Sequence, residues 1–486
     1  MAGPRHGPSV GQNGKGTPVT AAAIPDQRAL RDPAGACIAD ERQDLHNVGF
    51  AERVTAVAAV FAAAGLGRGG VLAVLLPNRV ELVTSMFAAW RLGAAVTPVN
   101  PALTAQEARY QIRRLGRHPG RGRRRGRGDA GWRPVPDQRA RRGDHPVPPP
   151  TSPSRFTAPP ALVTNPGALA PRIYTSGTTG RPKGVMLDHA SISATAEIVI
   201  GWLEMTADIR CLLVLPLFHV NGIMVSVVSP LLAGGSTFIA ERFHTASFWA
   251  TVEQVRPTYF SAVPTIHALL ASRPGAQPDA RSLRFVICGA APMPRQLIGE
   301  FEQRFGVPVV EGYGLSECTV VCTANPLHGV RKAGSVGLPL PGIDVGVVDQ
   351  ADQLLPAGQS GEVVVRGPNV MRGYLGRPDE TAHVLRGGWL HTGDVGRRHR
   401  LCRHDHGQWT EKEAASSRCL INLARTGNGN LYAGQPVSVG RSAVSRAAQS
   451  MRADSISNER TGHEVQKCNR APTIRLILPV RRRPRW

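Results

Sequence analysis

One stretch of eleven residues limits most tightly how this chain can fold. Residues 174–184 read Tyr-Thr-Ser-Gly-Thr-Thr-Gly-Arg-Pro-Lys-Gly, so hydroxyl side chains alternate with glycines ahead of a lysine. Glycines allow the backbone to approach a ligand closely, N–H groups and hydroxyls donate hydrogen bonds, and the lysine adds positive charge. A β-like run, 172–174, precedes the stretch, and a helix-like segment, about His189 to Leu203, follows it. This stretch, the phosphate loop, therefore predicts a polyphosphate site.

The phosphate loop is not a Walker A motif, because its lysine lies beyond a proline and no Gly-Lys-Ser/Thr is present. A solvated surface loop is the alternative, which the length of the pattern disfavours. The loop resembles the phosphate-binding motif of the adenylate-forming superfamily, which includes acyl-CoA synthetases, luciferases and peptide-synthetase adenylation domains. The resemblance implies catalytic roles for Thr175 and Lys183 and makes Thr175 a magnesium ligand. It also implies that the following residues bind ATP: Thr175, Ser176, Gly177, Thr178, Thr179, Gly180 and Lys183.

Upstream, helix-like and strand-like patterns alternate along the chain. Apolar spacing predicts helices at 51–66 and 81–92, and strands at 71–76 and 94–99. Such β-α-β alternation predicts an α/β fold with helices on the faces of a parallel sheet. The family resemblance continues here, stops near Leu115 and resumes near 164.

A second motif, 311–317, reads Glu-Gly-Tyr-Gly-Leu-Ser-Glu after a strand-like run. The resemblance implies that Tyr313 stacks on adenine, that Ser316 lies near the α-phosphate and that Glu317 is catalytic and binds Mg²⁺. It extends nucleotide binding to Glu311, Gly312 and Gly314. The alternative is a glycine-rich turn with a solvated glutamate.

A third motif, 388–396, contains Asp394, whose family counterpart binds ribose; a carboxylate can accept hydrogen bonds from two vicinal hydroxyls. The run 334–342 and the run 361–367 predict a smaller β subdomain with tight turns.

Two further segments resemble substrate-binding parts of the family. An apolar strand-like run, 283–292, ends in small residues, and the resemblance places Gly289, Ala290 and Ala291 against the adenine ring. A buried strand over 213–222 is predicted to end in a turn at His219. The resemblance implies that His219 lines the acyl pocket and takes part in catalysis, whereas a packed core histidine is the alternative.

The net charge of +23 first suggests a nucleic-acid binder. However, 112–145 carries +9 and 397–486 carries +12, so the rest of the chain is close to neutral. Both stretches favour arginine with glycine, proline and alanine, rather than the mixture of lysine and aromatic residues typical of nucleic-acid surfaces. We therefore predict no nucleic-acid partner. An RNA-binding protein would instead show steeply salt-dependent affinity.

The two basic stretches are also rich in residues with GC-rich codons, and apolar periodicity ends abruptly at each. We hypothesise that 116–160 and 397–486 are out-of-frame translations, with disordered basic linkers as the alternative. Resequencing tests this, and an intact frame across both junctions would contradict it. The His/Cys group at 399–406 fits no standard zinc spacing, so we predict no metal site there.

Localisation signals are weak. No N-terminal stretch has the pattern of a secretory signal, and the eight cysteines form no CxxC pair, which favours the cytoplasm. The uncharged run 211–240 is broken by prolines and paired glycines, so we predict a buried strand, loop, helix and turn there rather than a membrane span. Peripheral membrane contact stays open.

Together the motifs predict an α/β adenylate-forming body over 24–396, after a disordered segment 1–23 and before a basic tail 397–486. The resemblance implies an AMP-forming acid–CoA ligase that uses ATP, Mg²⁺ and CoA on a small-molecule carboxylic acid, a fatty acid being favoured. The family's C-terminal lysine for adenylation is not recognisable after Gly396. Losing one such contact costs about 10²–10³ in rate, so very low activity is expected of the chain as written. A non-catalytic nucleotide-binding remnant and a peptide-synthetase adenylation domain are the alternatives, although no carrier serine motif follows. The oligomeric state is not indicated.

Overall fold

The structure, a computed structural model, describes residues 20–115, 133–134, 160–175, 182–273, 275, 277–329, 331–400, 419–425 and 475–478. The strands are β1 (Ala36–Asp40), β2 (Gln43–His46), β3 (Val71–Leu75), β4 (Ala95–Pro98), β5 (Arg133–Pro134), β6 (Leu169–Thr175), β7 (Lys183–Asp188), β8 (Arg210–Leu213), β9 (Ser236–Ile239), β10 (Tyr259–Ala262), β11 (Phe285–Cys288), β12 (Val309–Tyr313), β13 (Thr323–Ala324), β14 (Leu338–Pro339), β15 (Asp344–Val348), β16 (Ser360–Arg366), β17 (Gly373–Tyr374), β18 (Leu390–Arg400), β19 (Cys419–Arg425) and β20 (Arg475–Leu478). The α-helices are α1 (Ile24–Arg31), α2 (Asn47–Ala63), α3 (Val80–Arg91), α4 (Ala105–Leu115), α5 (His189–Trp202), α6 (Val220–Ile223), α7 (Ser229–Leu232), α8 (Phe248–Val255), α9 (Pro264–Ala271), α10 (Arg295–Phe305) and α11 (Pro378–Val384).

A nine-stranded sheet forms the largest layer, in the order β14-β13-β12-β11-β10-β8-β9-β1-β2. The neighbours from β12 to β1 pair in parallel. Their short apolar runs are buried, as expected for strands covered on both faces. The predicted α/β fold with parallel sheets is confirmed.

A seven-stranded sheet contains the phosphate loop, in the order β17-β7-β6-β4-β3-β20-β5. The strands β3, β4 and β6 are parallel, whereas β7 pairs antiparallel with β6. The phosphate loop therefore joins two strands of a hairpin, and Lys183 begins the second strand. The predicted helix after it, α5, starts at His189, where the Asp188 carboxylate accepts the Ser191 N–H at 2.8 Å.

The predicted smaller β subdomain is a four-stranded sheet, β15-β16-β18-β19. Its valines at 345, 363 and 365 are buried in the main hydrophobic core. This sheet is antiparallel throughout, and its strand β18 carries the third motif, which contacts the second motif through Asp394 and Tyr313.

Three segments depart from the sequence expectations. Residues 21–23, assigned to the disordered N-terminus, form a buried turn of 3₁₀-helix, while residues 1–19 lie outside the described residues. In the basic tail, β18 runs to Arg400, and β19 buries Ile421 and Leu423 against the core. β20 pairs with β3 and β5. The predicted disorder is therefore wrong for 21–23, which pack into the core, and for β18, β19 and β20, which pair with neighbouring strands.

The uncharged run 211–240 folds as a strand, a loop, a helical segment with a π-helical turn at Met224–Val228, a turn and a strand, as predicted. The predicted strand over 213–222 is corrected: β8 ends at Leu213. Pro216 has no N–H for a strand ladder, and the Leu217 N–H donates to the Asn78 side chain at 2.9 Å instead. Among the described residues, no helix has both the length and the apolar character needed to cross a membrane.

Candidate active site

Four turns line the carboxyl edge of the nine-stranded sheet. They follow the parallel neighbours β8, β10, β11 and β12, and they carry His219, Val263, the small-residue turn 289–291 and the second motif. Ligands of open α/β sheets bind outside the carboxyl ends of the strands. The topology therefore brings three predicted site segments, His219, 289–291 and the second motif, to one edge.

The small-residue turn contacts both neighbouring strands. The Gly289 N–H donates to the Ala262 carbonyl at 3.4 Å, and a Cβ at Gly289 would lie 3.5 Å from the Gly312 carbonyl oxygen. Ala290 is exposed and has φ of +65°, a conformation that costs a non-glycine residue free energy. A small, strained turn thus lies directly beside the second motif.

The second and third motifs meet at a hydrogen bond between Tyr313 and Asp394. The buried Tyr313 hydroxyl donates to Asp394 Oδ2 at 2.6 Å, and the Asp394 N–H donates to Thr392 Oγ1 at 3.1 Å. Burial, followed by the Asp394 charge, raises the pKa of Tyr313 well above its ordinary value. Tyr313 therefore stays protonated and fixes one oxygen of the carboxylate.

Gly314 allows the second motif to turn sharply after β12. A Cβ there would lie 2.3 Å from the Val320 carbonyl oxygen, so no other residue fits without moving the backbone. The turn leads into a short 3₁₀-helix, Ser316–Cys318, which holds Ser316 and Glu317 part-exposed. The Met371 N–H donates to the Glu317 carbonyl at 2.8 Å and secures this helix.

Glu317, Tyr374 and Lys183 form one cluster. The Tyr374 hydroxyl donates to Glu317 Oε1 at 2.8 Å, and Lys183 Nζ lies 4.9 Å from the centroid of the Tyr374 ring. Lys183 Nζ also pairs with Glu380 at 3.0 Å. Burial raises the pKa of Glu317, the Tyr374 hydrogen bond and the Lys183 charge oppose that rise, and the Asp394 charge adds to it. Groups from all three motifs are therefore electrostatically coupled.

Thr175 lies directly across the hairpin from Lys183. These two residues flank the phosphate loop at its base. Ser176, Gly177, Thr178, Thr179 and Gly180 lie outside the described residues, so their predicted contacts with phosphate stay predictions.

His219 is exposed at the start of α6, with its ring centroid 4.6 Å from that of Phe218. Although solvent reaches the side chain, the protein atoms around it lower the pKa of His219 and favour the neutral imidazole. Asn78 holds the preceding loop from both sides, because its Nδ2 donates to the Leu215 carbonyl at 3.0 Å while its Oδ1 accepts the Leu217 N–H. His219 is therefore a surface residue of the carboxyl edge and not a core histidine.

Glu311 lies deeper than the rest of the second motif. Burial raises the pKa of its carboxyl group to about 8, although the Gly334 backbone and the Arg295 charge oppose that rise. A carboxyl group in this environment is mostly protonated near neutral pH. Its predicted contact with nucleotide stays a prediction.

The residues present fit a magnesium ion bound together with a polyphosphate. Within the described residues, no group of three or more His, Cys, Asp or Glu side chains could hold a metal ion by protein ligands alone. Mg²⁺ in nucleotide sites commonly uses one or two carboxylates, with phosphate and water oxygens as its other ligands. Glu317 provides a carboxylate and Thr175 a hydroxyl, both hard oxygen donors. This donor set is suitable for Mg²⁺ only when phosphates complete the coordination.

Sequence reasoning assigned no role to Tyr374, Glu380 or Asn78. Nothing in the sequence Met371-Arg-Gly-Tyr374 indicates that the tyrosine reaches Glu317, which lies 57 positions earlier. Asn78 follows the predicted strand 71–76, and nothing in the sequence there indicates its contacts with residues 215–217.

Comparison with known proteins identifies the family. A model described as AMP-binding enzyme matches residues 19–117 and 128–375, more than half of the chain. This chain belongs to the AMP-binding enzymes. The match is interrupted at 118–127, close to the predicted break near Leu115, and it ends at 375, before the third motif.

Two relatives of this AMP-binding enzyme are named as CoA synthases or ligases, and one solved structure of another protein shares its fold. A feruloyl-CoA synthase from Amycolatopsis sp is 33% identical over 377 residues, 76% of this chain and 74% of that protein. A long-chain-fatty-acid–CoA ligase from Bacillus subtilis is 37% identical over 227 residues, 46% of this chain and 40% of that protein. The ATP-bound RpMatB-BxBclM chimera B3 superposes with a TM-score of 0.69 at 25% identity, covering 84% of this chain and 79% of that one. The predicted enzyme class, an AMP-forming acid–thiol ligase, is thereby confirmed.

Proposed function

We propose that residues 24–396 form an adenylation body that activates a hydrophobic monocarboxylic acid with ATP and passes it to CoA. The observation that carries the proposal is the meeting of the three motifs: Tyr313 with Asp394 at 2.6 Å, and Lys183 with Glu317 around one tyrosine ring. A site for adenosine, metal and phosphate needs these groups within the span of one nucleotide.

The first reaction step forms an acyl-adenylate. A carboxylate oxygen of the acid attacks the α-phosphorus of ATP, the bond to the β-phosphate oxygen breaks, and pyrophosphate leaves. Since this step brings like charges together, positioning and charge neutralisation are its main needs. Lys183 would neutralise the β- and γ-phosphates, Asp394 would accept hydrogen bonds from the ribose, and Tyr313 with the 289–291 turn would hold adenine. Glu317 and Thr175 would hold the Mg²⁺, which offsets charge on the phosphate oxygens.

The second step transfers the acyl group to CoA. The CoA thiolate attacks the acyl carbonyl carbon, the bond to the phosphate oxygen breaks, and AMP leaves. The exposed position of His219 at the carboxyl edge supports a role at the acyl end of this site.

The expected substrate, an acid with a single carboxylate, is inferred from the charges near the acyl end of the site. The run 211–240, which leads from β8 through His219 to β9, contains no Lys or Arg, so it offers no ammonium or guanidinium group to pair with a second anionic group on the acid. Leu217, Ile223 and Met224 are buried apolar residues of this run. A fatty acid is the favoured substrate, and an aromatic acid such as ferulate is the second.

Pyrophosphate exchange tests the proposal. The chain with Mg·ATP and labelled pyrophosphate is assayed with a panel of fatty, aromatic and dicarboxylic acids, and thioester formation is followed when CoA is added. We expect slow exchange with fatty acids, because the C-terminal lysine is missing, and still slower exchange with dicarboxylic acids. Lys183→Ala should abolish exchange, whereas the exposed Lys332→Ala serves as the matched control. ATP binding without exchange for any acid would instead support a non-catalytic nucleotide-binding remnant.

A further inference from the structure

We propose that Tyr374 is a positioning residue that fixes the metal-binding carboxylate and the phosphate-binding ammonium at the same time. The inference rests on the proposed function for the roles of Glu317 and Lys183. It adds a residue outside the three motifs, with two separable contacts.

The two contacts use different parts of one side chain. The hydroxyl of Tyr374 donates to Glu317 Oε1 at 2.8 Å, while the face of the ring lies 4.9 Å from Lys183 Nζ. The residue is 7% exposed. A hydrogen bond to one carboxylate oxygen fixes the plane of the Glu317 carboxylate and leaves its other oxygen for a metal. A ring face attracts an ammonium and limits where the flexible lysine side chain can go.

The backbone around Tyr374 holds the ring in this place. β17 pairs with β7, so Tyr374 lies opposite Val185, two residues after Lys183. The Tyr374 N–H donates to Thr381 Oγ1 at 2.9 Å, and the next residue, Leu375, donates its N–H to the Gly184 carbonyl at 2.8 Å.

Gly373 makes this arrangement possible. Its φ is +130°, and a Cβ would lie 2.5 Å from Thr381 Cγ2. Together with the bond from the Met371 N–H to the Glu317 carbonyl, these contacts bind the segment 371–375 to both of the elements that it bridges. Tyr374 therefore sits on a rigid bridge between the phosphate loop and the second motif.

The two contacts predict two separable effects. Partners that orient a metal ligand are typically worth about 10–100-fold in metal affinity. A cation held over an aromatic face is worth about 2–30-fold in binding, depending on exposure. Tyr374→Phe removes the hydroxyl and keeps the ring, whereas Tyr374→Leu removes both contacts.

The experiment measures equilibrium binding of ATP to the full chain by calorimetry, once with EDTA and once over a titration of Mg²⁺. For Tyr374→Phe we expect metal-free ATP affinity within about 2-fold of wild type, and a Mg²⁺ requirement raised about 10-fold or more. For Tyr374→Leu we expect both to weaken. Tyr259→Phe is the matched control, because it also deletes one buried hydroxyl, which donates to the Val225 carbonyl at 2.6 Å; it should change neither.

Each other outcome overturns the inference. If Tyr374→Phe changes neither the metal-free ATP affinity nor the Mg²⁺ requirement, or changes both equally, the tyrosine has a structural role only. Wild-type chain that binds no ATP under either condition refutes the proposed function, and the inference falls with it. If the wild type binds ATP and the two Tyr374 variants bind it equally well, only the positioning role is refuted. Failure of the proposed function and failure of this inference are therefore distinguishable.

Discussion

Replacing Asp394 by asparagine isolates the contribution of its charge to ribose binding. Asparagine has the same size, and its amide oxygen can still accept the Tyr313 hydroxyl that now lies 2.6 Å from Oδ2. The fold of the third motif should therefore persist. What is lost is the ability to accept charge-assisted hydrogen bonds from the two ribose hydroxyls.

The size of the effect follows from these two bonds. A hydrogen bond to a charged group contributes about 1.5–3 kcal/mol, against about 0.5–1.5 kcal/mol for a neutral pair. Two bonds weakened by about 1 kcal/mol each give about 2 kcal/mol, or about 30-fold weaker ATP binding. For 2′,3′-dideoxy-ATP, which has no hydroxyl to donate, the variant and the wild type should bind alike.

The assay is competition binding of ATP and 2′,3′-dideoxy-ATP to wild type, Asp394→Asn and the control Asp44→Asn, an exposed aspartate on β2. We expect Asp394→Asn to lose most of the preference for ATP over the dideoxy nucleotide, and Asp44→Asn to keep it. Equal weakening of both nucleotides, or an unchanged preference, would refute the assignment of Asp394 to the ribose.

Three further predictions concern charge and burial. Glu380→Gln should tighten ATP binding about 2–5-fold in the same assay, because the partly exposed ion pair at 3.0 Å competes with phosphate for Lys183, and the neighbouring Asp379→Asn should have little effect. Burial raises the pKa of Glu311 from 4.5 to about 8, so the folded chain holds a proton that the unfolded chain has lost between these values. The free energy of unfolding should thus fall as pH rises from about 4.5 to 8, and Glu311→Gln should flatten that slope in urea titrations; an unchanged slope would contradict the buried carboxyl. Arg28→Met should lower the free energy of unfolding by about 3 kcal/mol, because the buried guanidinium donates to Asn47 Oδ1 and to two backbone carbonyls at 2.7–2.9 Å. The exposed Arg31→Met on the same helix is its control, and equal losses for both would refute the reasoning.

The sequence predicted those parts of the fold whose signal is local. Apolar spacing placed α2, β3, α3 and β4 within a few residues of their observed bounds, because each helix buries one apolar face and each strand is an almost fully buried apolar run. The loop before His219 was wrongly predicted as strand, because its backbone is held by the side chain of Asn78, which lies in the distant turn between β3 and α3.

Long-range pairing explains the remaining differences. Ile421 and Leu423 belong to a stretch with no periodicity, yet β19 finds an open edge at β18 and is buried there. Likewise, the link between Tyr374 and Glu317 depends on β17 pairing with β7, which no local pattern contains. The motifs could therefore name Lys183, Glu317 and Asp394 as candidates, but not the side chains that hold them together.

The most direct test of this account is a crystal structure of the chain with Mg²⁺ and a non-hydrolysable ATP analogue. We predict one nucleotide with adenine against Tyr313, ribose hydroxyls on Asp394, terminal phosphates at Lys183, and a magnesium ion shared by those phosphates and Glu317. A nucleotide bound elsewhere, or one that touches a single motif while the other two stay apart from it, would contradict the account.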